Sequence, residues 1–356
     1  VTAARRRRPF PFATPAAFVA LLGTASVGVS MPARPVENAP PMPEPATTAS
    51  PRDPVTRNGT CEGCHSEIAA EWGTSGHKNA FADRDFRASL AREPLPFCRG
   101  CHAPEADPNQ DPPADRAALG VGCVTCHSPH NGPGVLAVPH TTPPTGVNGH
   151  RANDALVSNA DFASEKACAR CHEFGFPDSI RREKPLLMQS TITEGANSGI
   201  GGTCNDCHMP KVEGPGGTPH RSHRFSVDET MLKGALDVAT TRTGEHVTVT
   251  LTSRGVGHAF PTGDLFRRLV LTLKIGEKTR KIPLARAWED RTSANGSLRV
   301  LAADTRLQAA PVTFTEESPR PVEWQVTYER AASRTDAHGR IPVALFGSTV
   351  LARGVR

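Results

Sequence analysis

The second half of the chain alternates apolar and polar side chains with a period of two. His246 to Thr252 (HVTVTLT), Leu269 to Ile275 (LVLTLKI) and Val322 to Tyr328 (VEWQVTY) each turn one face to a core and the other to solvent. Ile341–Leu351 adds a further strand region, and turn-rich segments such as Ser293–Gly296 separate the runs. The pattern predicts an all-β, sandwich-like domain over residues 236–356, about 120 residues long. It contains no cysteine.

Before residue 236 no such period is sustained. Short helices are predicted around Ser66–Trp72, Asp83–Ala91 and Asn153–Arg170, with irregular loop between them. The chain carries 31 Gly, 33 Pro, 5% aromatic residues and one tyrosine, Tyr328, placed by the pattern deep in the β domain. Residues 55–235 therefore have little side-chain core of their own, and another component must supply apolar volume. Residues 31–54 hold Pro32, Pro35, Pro40, Pro41, Pro43, Pro45, Pro51 and Pro54, the composition of an extended linker rather than a packed element. Residues 1–30 pair a positive stretch, Arg5 to Arg8, with a short apolar one, Ala16 to Val29. That is the form of a signal peptide, with an N-terminal membrane anchor as the alternative; either implies export to a periplasmic or extracellular location.

All ten cysteines fall into five copies of one pattern: Cys61-Glu-Gly-Cys64-His65, Cys98-Arg-Gly-Cys101-His102, Cys123-Val-Thr-Cys126-His127, Cys168-Ala-Arg-Cys171-His172 and Cys204-Asn-Asp-Cys207-His208. Thiols at i and i+3 share one face of a turn and can each add to a vinyl group of haem, while the next histidine lies beneath the ring as an iron ligand. This is the attachment signature of haem c, here implying five covalently bound haems. The competing reading is zinc, which draws two such pairs into one tetrahedral site. Five pairs do not divide that way, and each is followed at once by histidine.

Five of the fourteen histidines are spoken for by the motifs, leaving nine. Two-histidine axial ligation is the economical expectation, since only five methionines exist and Met31 and Met42 precede the haem-binding region. The candidate second ligands are His77, in Trp72-Gly-Thr-Ser-Gly-His77; His130, three residues past His127; His223, after the last motif; and His258, on a turn of the β domain. For the fifth place His150 is chosen because it precedes the predicted helix into the fourth motif, with His140 and His220 as competitors. His246 and His338 read as solvated positions.

Cys61–Ala80 (CEGCHSEIAAEWGTSGHKNA), Gly120–His130 (GVGCVTCHSPH) and Cys204–Phe225 (CNDCHMPKVEGPGGTPHRSHRF) resemble the multihaem cytochromes related to the tetrahaem electron carrier of hydroxylamine oxidation. Gly257 to Asp264 (GHAFPTGD) is similar to an element in the β domains of such cytochromes. In that family the histidine matching His77 is the distal ligand of a different haem from the one it follows, and the resemblance implies the same here. The carrier has four haems and no β domain of this size, so its haem stacking is not carried over. Cys204–Lys211 (CNDCHMPK) also looks like a segment of the pentahaem nitrite reductases. Those enzymes replace one motif histidine with lysine and flank an open iron with His, Tyr and Arg; here all five motifs end in His and the lone tyrosine lies in the β domain.

The resulting fold class is a mostly irregular and α-helical multihaem cytochrome domain (55–235) wrapped around five haems, followed by the β sandwich (236–356). The expected function is electron transfer between a membrane or periplasmic donor and a downstream reductase or extracellular acceptor, more a carrier than an enzyme. The expected partners are redox proteins: other cytochromes, a quinol-oxidising complex or a terminal reductase. The alternatives are a haem reductase acting on a small nitrogen or oxygen species at one open iron, and a docking or filament-forming cytochrome that assembles as a homo-oligomer. Charge adds a further exclusion. The formal balance is 41 basic against 36 acidic residues, or 37 against 36 without Arg5 to Arg8. Two propionates on each of five ferric haems would then leave the protein about four units negative, so nucleic acid is not an expected partner.

Overall fold

The computed structural model describes Ala46 and residues 53–128, 135–138, 155–176, 186–214, 217, 219–293, 296–331, 334–336 and 345–356. The chain divides into two compact units, Val1–Glu37 and Asn38–Arg356, and all of the described residues lie in the second. The signal or anchor expected over residues 1–30, and most of the linker, fall outside them. Within that linker Ala46 is buried, and its amide donates to the Gly100 carbonyl at 2.9 Å, so at this position the chain is docked rather than free.

The N-terminal half is built from short helices: α1 (Pro54–Cys64), α2 (Ser66–Gly73), α3 (Arg84–Arg92), α4 (Pro96–His102), α5 (Ala114–Leu119), α6 (Cys123–His127), α7 (Lys166–His172), α8 (Thr191–Asn197), α9 (Cys204–His208) and α10 (Glu229–Gly234). Asp53 caps α1 through the amides of Val55 and Thr56, with Pro54 at the first helical position, and Asp83 caps α3 through the Phe86 amide. Three two-stranded pieces lie between the helices: β1 (Val135–Val138) with β2 (Ala155–Ser158), β3 (Glu173–Gly175) with β4 (Leu187–Ser190), and β5 (Lys211–Glu213) with β6 (Pro219–Arg221).

The helix expected over Asn153–Arg170 is a correction. Ala155–Ser158 (ALVS) runs as a strand parallel to Val135–Val138 (VLAV), a 3-10 turn covers Ala160–Ala163, and only Lys166–His172 is α-helical. Pairing with a distant apolar segment outweighs the local helical pattern.

From Leu236 the chain is sheet. Its strands are β7 (Leu236–Thr243), β8 (His246–Ser253), β9 (Arg267–Ile275), β10 (Lys278–Leu284), β11 (Arg286–Ser293), β12 (Gly296–Asp304), β13 (Val312–Glu317), β14 (Glu323–Ala331), β15 (Thr335–Asp336) and β16 (Leu345–Val355). They form sheets ordered β10-β9-β14-β16, β13-β8-β7 and β12-β11-β15. Val247, Val249 and Leu251 from β8 meet Leu269, Leu271, Leu273 and Val326 from β9 and β14 in one buried cluster. These are the inward positions of the period-two runs, so the first two sheets bury them against each other. Across the same β9–β14 pair Arg268 and Glu329 stand opposite in register and form a buried ion pair at 2.7 Å.

The two halves are joined by a second apolar cluster, Phe176, Met188, Leu265 and Trp288. Arg286 on β11 donates to the carbonyls of Leu187, Met188 and Gly263. Glu93 takes both Arg299 and Arg334 at 2.8 Å, and Arg330 reaches Asp83 and Asp85. Among the described residues no helix is long and apolar enough to cross a membrane.

Leu271 is wholly buried at the centre of the sandwich. Leu271→Ala is expected to destabilise the protein by about 2–5 kcal/mol, while exposed Lys281→Ala should stay within about 0.5 kcal/mol of the parent. Denaturant unfolding followed by circular dichroism checks both, and equal effects would contradict this core assignment.

Candidate functional site

Each cysteine pair lies on one helical turn. Cys61 and Cys64 close α1, Cys98 and Cys101 lie in α4, Cys123 and Cys126 in α6, Cys168 and Cys171 in α7, and Cys204 and Cys207 in α9. Residues three apart on a helix share a face, so both thiols of a pair point the same way, and the histidine follows at the C-terminal end of that turn. None of the ten forms a disulfide.

All five turns open on one cavity of about 2880 Å³. Ordinary ligand pockets hold about 300–1,000 Å³, so this space suits several large groups rather than one. It is the missing core of residues 55–235. Within it the turns adjoin one another: Cys101 lies beside Cys171, and Cys168 beside Cys204. The turns are held by specific contacts. The Asn58 amide oxygen accepts from Val124 N, the Trp72 indole donates to the Val121 carbonyl at 2.8 Å, and Asn205 donates to the Phe162 carbonyl at 2.7 Å. Arg221 closes the C-terminal end of α9 by donating to the carbonyls of Asn205 and Met209.

The histidines are the most informative part. Two imidazoles that bind one ion from opposite sides, with ion–nitrogen distances of about 2 Å and ring radii of about 1.1 Å, have ring centres about 6.3 Å apart. His77 and His172 stand at 6.2 Å, His127 and His223 at 6.4 Å, and His208 and His258 at 6.3 Å. Each pair joins one motif histidine to one candidate second ligand from elsewhere in the chain. His223 and His258 have Nδ1 engaged with the carbonyls of Arg221 (2.8 Å) and Ala259 (2.9 Å), and His102 with that of Ala80 (2.7 Å). That contact fixes the tautomer and leaves Nε2 for a metal.

Electrostatics agree. Burial, with His172 and other imidazoles nearby, pushes the His77 pKa down to about 3, and burial with Arg267 nearby pushes His172 to about 4. Burial also lowers His102, His208 and His223. These rings are neutral, the form that ligates. Burial pushes the Cys98 and Cys123 thiols up to about 11 and Cys126 to about 12, so they are not thiolates near neutral pH. Cys204 is the exception, its thiol lowered by the neighbouring Cys168 thiol.

The donor set fits haem c better than zinc. Among the described residues no group of three or more His, Cys, Asp or Glu side chains is gathered to hold a metal ion. Haem c asks only for a thiol pair per turn and an imidazole above and below the ring.

Of the ten histidines predicted as ligands, His65, His102, His127, His172, His208, His77, His223 and His258 all line the cavity. His130 and His150 lie outside the described residues, as does the competitor His140. The other competitor, His220, has Nε2 3.4 Å from the Glu71 carboxylate. Exposed His246 sits on β8 as expected. Tyr328 is a correction: placed by the sequence pattern deep in the β domain, it lies on β14 and lines the cavity with Arg267 and Asp264.

Several supporting residues carry no local sequence signal. Glu71 accepts from the His223 amide at 2.8 Å. Phe86 stacks on His102 at 3.6 Å, and Phe162 on His127 at 5.2 Å. Phe225 packs edge-on against the rings of His77 (4.2 Å) and His223 (5.8 Å), and its φ of 46° is the one positive value at a non-glycine position among the described residues. A bulky residue held in the left-handed region is strained, and such strain concentrates at functional sites.

Residues 60–128 match the family model described as cytochrome c554 and c-prime. The match spans the first three cysteine motifs and His77, and supports a c-type cytochrome that carries covalently bound haem c and takes part in electron transfer. No curated protein matches the chain. A solved structure of a superoxide reductase in its oxidised state is similar at 12% identity over 33% of this chain and 88% of that one, with a TM-score of 0.16, a likeness too slight to bear on the fold.

Gly120 offers a sharp test of how His77 is held. Its φ is +60°, and a Cβ there would fall 2.5 Å from the His77 carbonyl oxygen and against that of Lys78. The adjacent Val121 amide donates to that same His77 carbonyl at 2.9 Å. Gly120→Ala is expected to destabilise the mature protein by more than about 1 kcal/mol in denaturant unfolding, and a neutral result would contradict this packing.

Proposed function

We propose that this chain is an exported pentahaem c-type cytochrome that carries electrons between a membrane or periplasmic donor and a downstream reductase or extracellular acceptor. The observation that carries the reading is the set of three imidazole pairs, His77/His172, His127/His223 and His208/His258, each spaced for one iron and each beside a thiol pair. Bound haem supplies a one-electron iron couple, and ligation by two histidines sets it at the low end of the potential scale for such groups.

The chain's own residues do the rest. The cysteine turns would fix where each ring is attached, the imidazole pairs would fill both remaining positions on the iron, and the largely apolar lining would pack against the rings. His130, and His150 ahead of its competitors His140 and His220, are the candidates for the two remaining second ligands. The cavity brings all five turns into one enclosure, which suits transfer between neighbouring sites without a mobile carrier. The partners are other redox proteins: further cytochromes, a quinol-oxidising complex or a terminal reductase.

One observation favours the second reading, a reductase of a small nitrogen or oxygen species. Tyr328 and Arg267 line the same cavity as His102, where a polar substrate at an open iron would need them. Carbon monoxide decides between the two. Added to the fully reduced protein, it should leave the spectrum unchanged if every iron has two protein ligands, whereas a bound equivalent would favour the reductase.

Intact-mass measurement of the mature protein should show an increment of five haems, and thiol titration after denaturation should find no free cysteine. A lower haem number, or ten free thiols, would contradict the assignment. The axial pairs are tested by paramagnetic resonance. His77→Ala, His223→Ala and His258→Ala should each turn one haem high-spin and leave the others low-spin. The planes of His208 and His258 are within 13° of parallel and those of His77 and His172 are 64° apart. Crossed imidazole planes raise gmax, so the signal lost in His77→Ala should have the larger gmax. A variant that stays fully low-spin removes its histidine from the set.

A further inference from the structure

His258 differs from His77 and His223 in coming from the β domain, on the loop between β8 and β9. A ligand delivered from another part of the fold keeps its place only if that loop is tied to the part carrying the haem turn. The tie is visible. Helix α8, in the N-terminal half, lies along the loop, and an added Cβ at Gly195 would sit 3.2 Å from the Gly257 carbonyl oxygen, beside His258.

Glu194 is the polar centre of that contact. One carboxylate oxygen accepts from the Thr262 hydroxyl at 2.6 Å and the Ala259 amide at 3.3 Å, on either side of Phe260–Pro261. The other accepts from the Ser190 hydroxyl at 2.6 Å and pairs with Arg306 at 2.7 Å. Arg306 is anchored in turn by Asp304 at 2.7 Å and donates to the Pro261 carbonyl at 3.3 Å. Both side chains are buried, Glu194 11% and Arg306 5% exposed. Ala259 gives its amide to Glu194 and its carbonyl to His258 Nδ1 at 2.9 Å, so the carboxylate and the ring contact meet at one residue. Thr191 adds a second link, hydroxyl to hydroxyl with Thr262 at 2.9 Å.

We propose that Glu194, braced by Arg306, is the positioning residue that holds His258 over the haem of the Cys204–Cys207 turn. The inference rests on the reading that His208 and His258 share one iron. Without Glu194 the Ala259 amide and the Thr262 hydroxyl lose their common acceptor, and Arg306 is left buried with one partner fewer. The loop then keeps only the Thr191–Thr262 hydroxyl contact to α8, and His258 leaves the iron for part of the time.

The test uses the mature holoprotein and the variants Glu194→Ala, Glu194→Gln and His258→Ala, with haem number confirmed by mass. Carbon monoxide bound per chain after reduction is read against the wild type, with the high-spin signal of the oxidised protein. His258→Ala should bind one equivalent more than wild type. Glu194→Ala should rise towards that same increment at the same haem, and free imidazole should return both to low spin. Glu194→Gln keeps the volume but not the charge and should lie between wild type and Glu194→Ala; it decides the question should Glu194→Ala fail to mature. If His258→Ala gains the site while the Glu194 variants match the wild type, the positioning role is overturned and the ligand reading stands. If His258→Ala itself shows no new high-spin haem, the ligand reading fails first.

Discussion

Everything in this protein depends on the geometry of two thiols and an imidazole on a single helical turn. The i, i+3 spacing aims both sulfurs one way and leaves the histidine at the end of the turn. Repeated on α1, α4, α6, α7 and α9, it replaces a side-chain core with attachment points around a shared cavity. The low aromatic content and the abundance of Gly and Pro follow from that substitution, since loops need only span between turns.

The β domain is more than an appendage to this arrangement. Its sandwich is stabilised by its own core of Val and Leu, which leaves the loop ends free to present polar groups to the cavity. His258, Asp264, Arg267 and Tyr328 all reach the cavity wall from that side. Arg286, Arg299, Arg330 and Arg334 then bind the two halves through carbonyls and carboxylates. An enclosure with walls from both halves requires such ties, because apolar contact alone does not fix angle or register.

The cysteine turns and their histidines were legible in the sequence because covalent attachment fixes both residue type and spacing. The strands of the β domain were legible for a similar reason: one buried face imposes a strict period. His77, His223 and His258 were readable as candidates from their neighbours, but their pairing was not, because it depends on contacts across 95 (77 to 172) or 96 (127 to 223) positions of chain and on rings that the local sequence does not orient. The helix expected over Asn153–Arg170 failed where Ala155–Ser158 found a strand partner in Val135–Val138. Tyr328 was misplaced because alternation tells which face a strand residue takes, not how near the end of the sandwich stands to the cavity. Glu71, Glu194 and Phe225 were invisible, each being an ordinary residue until the fold sets it beside a candidate ligand or the loop that carries one.

The most direct test is the location of iron. Crystals of the mature protein measured across the iron absorption edge should give anomalous peaks midway between His77 and His172, between His127 and His223 and between His208 and His258, with continuous density from each ring to its cysteine pair. Peaks that respond at the zinc edge instead, or iron lying away from those midpoints, would contradict the account.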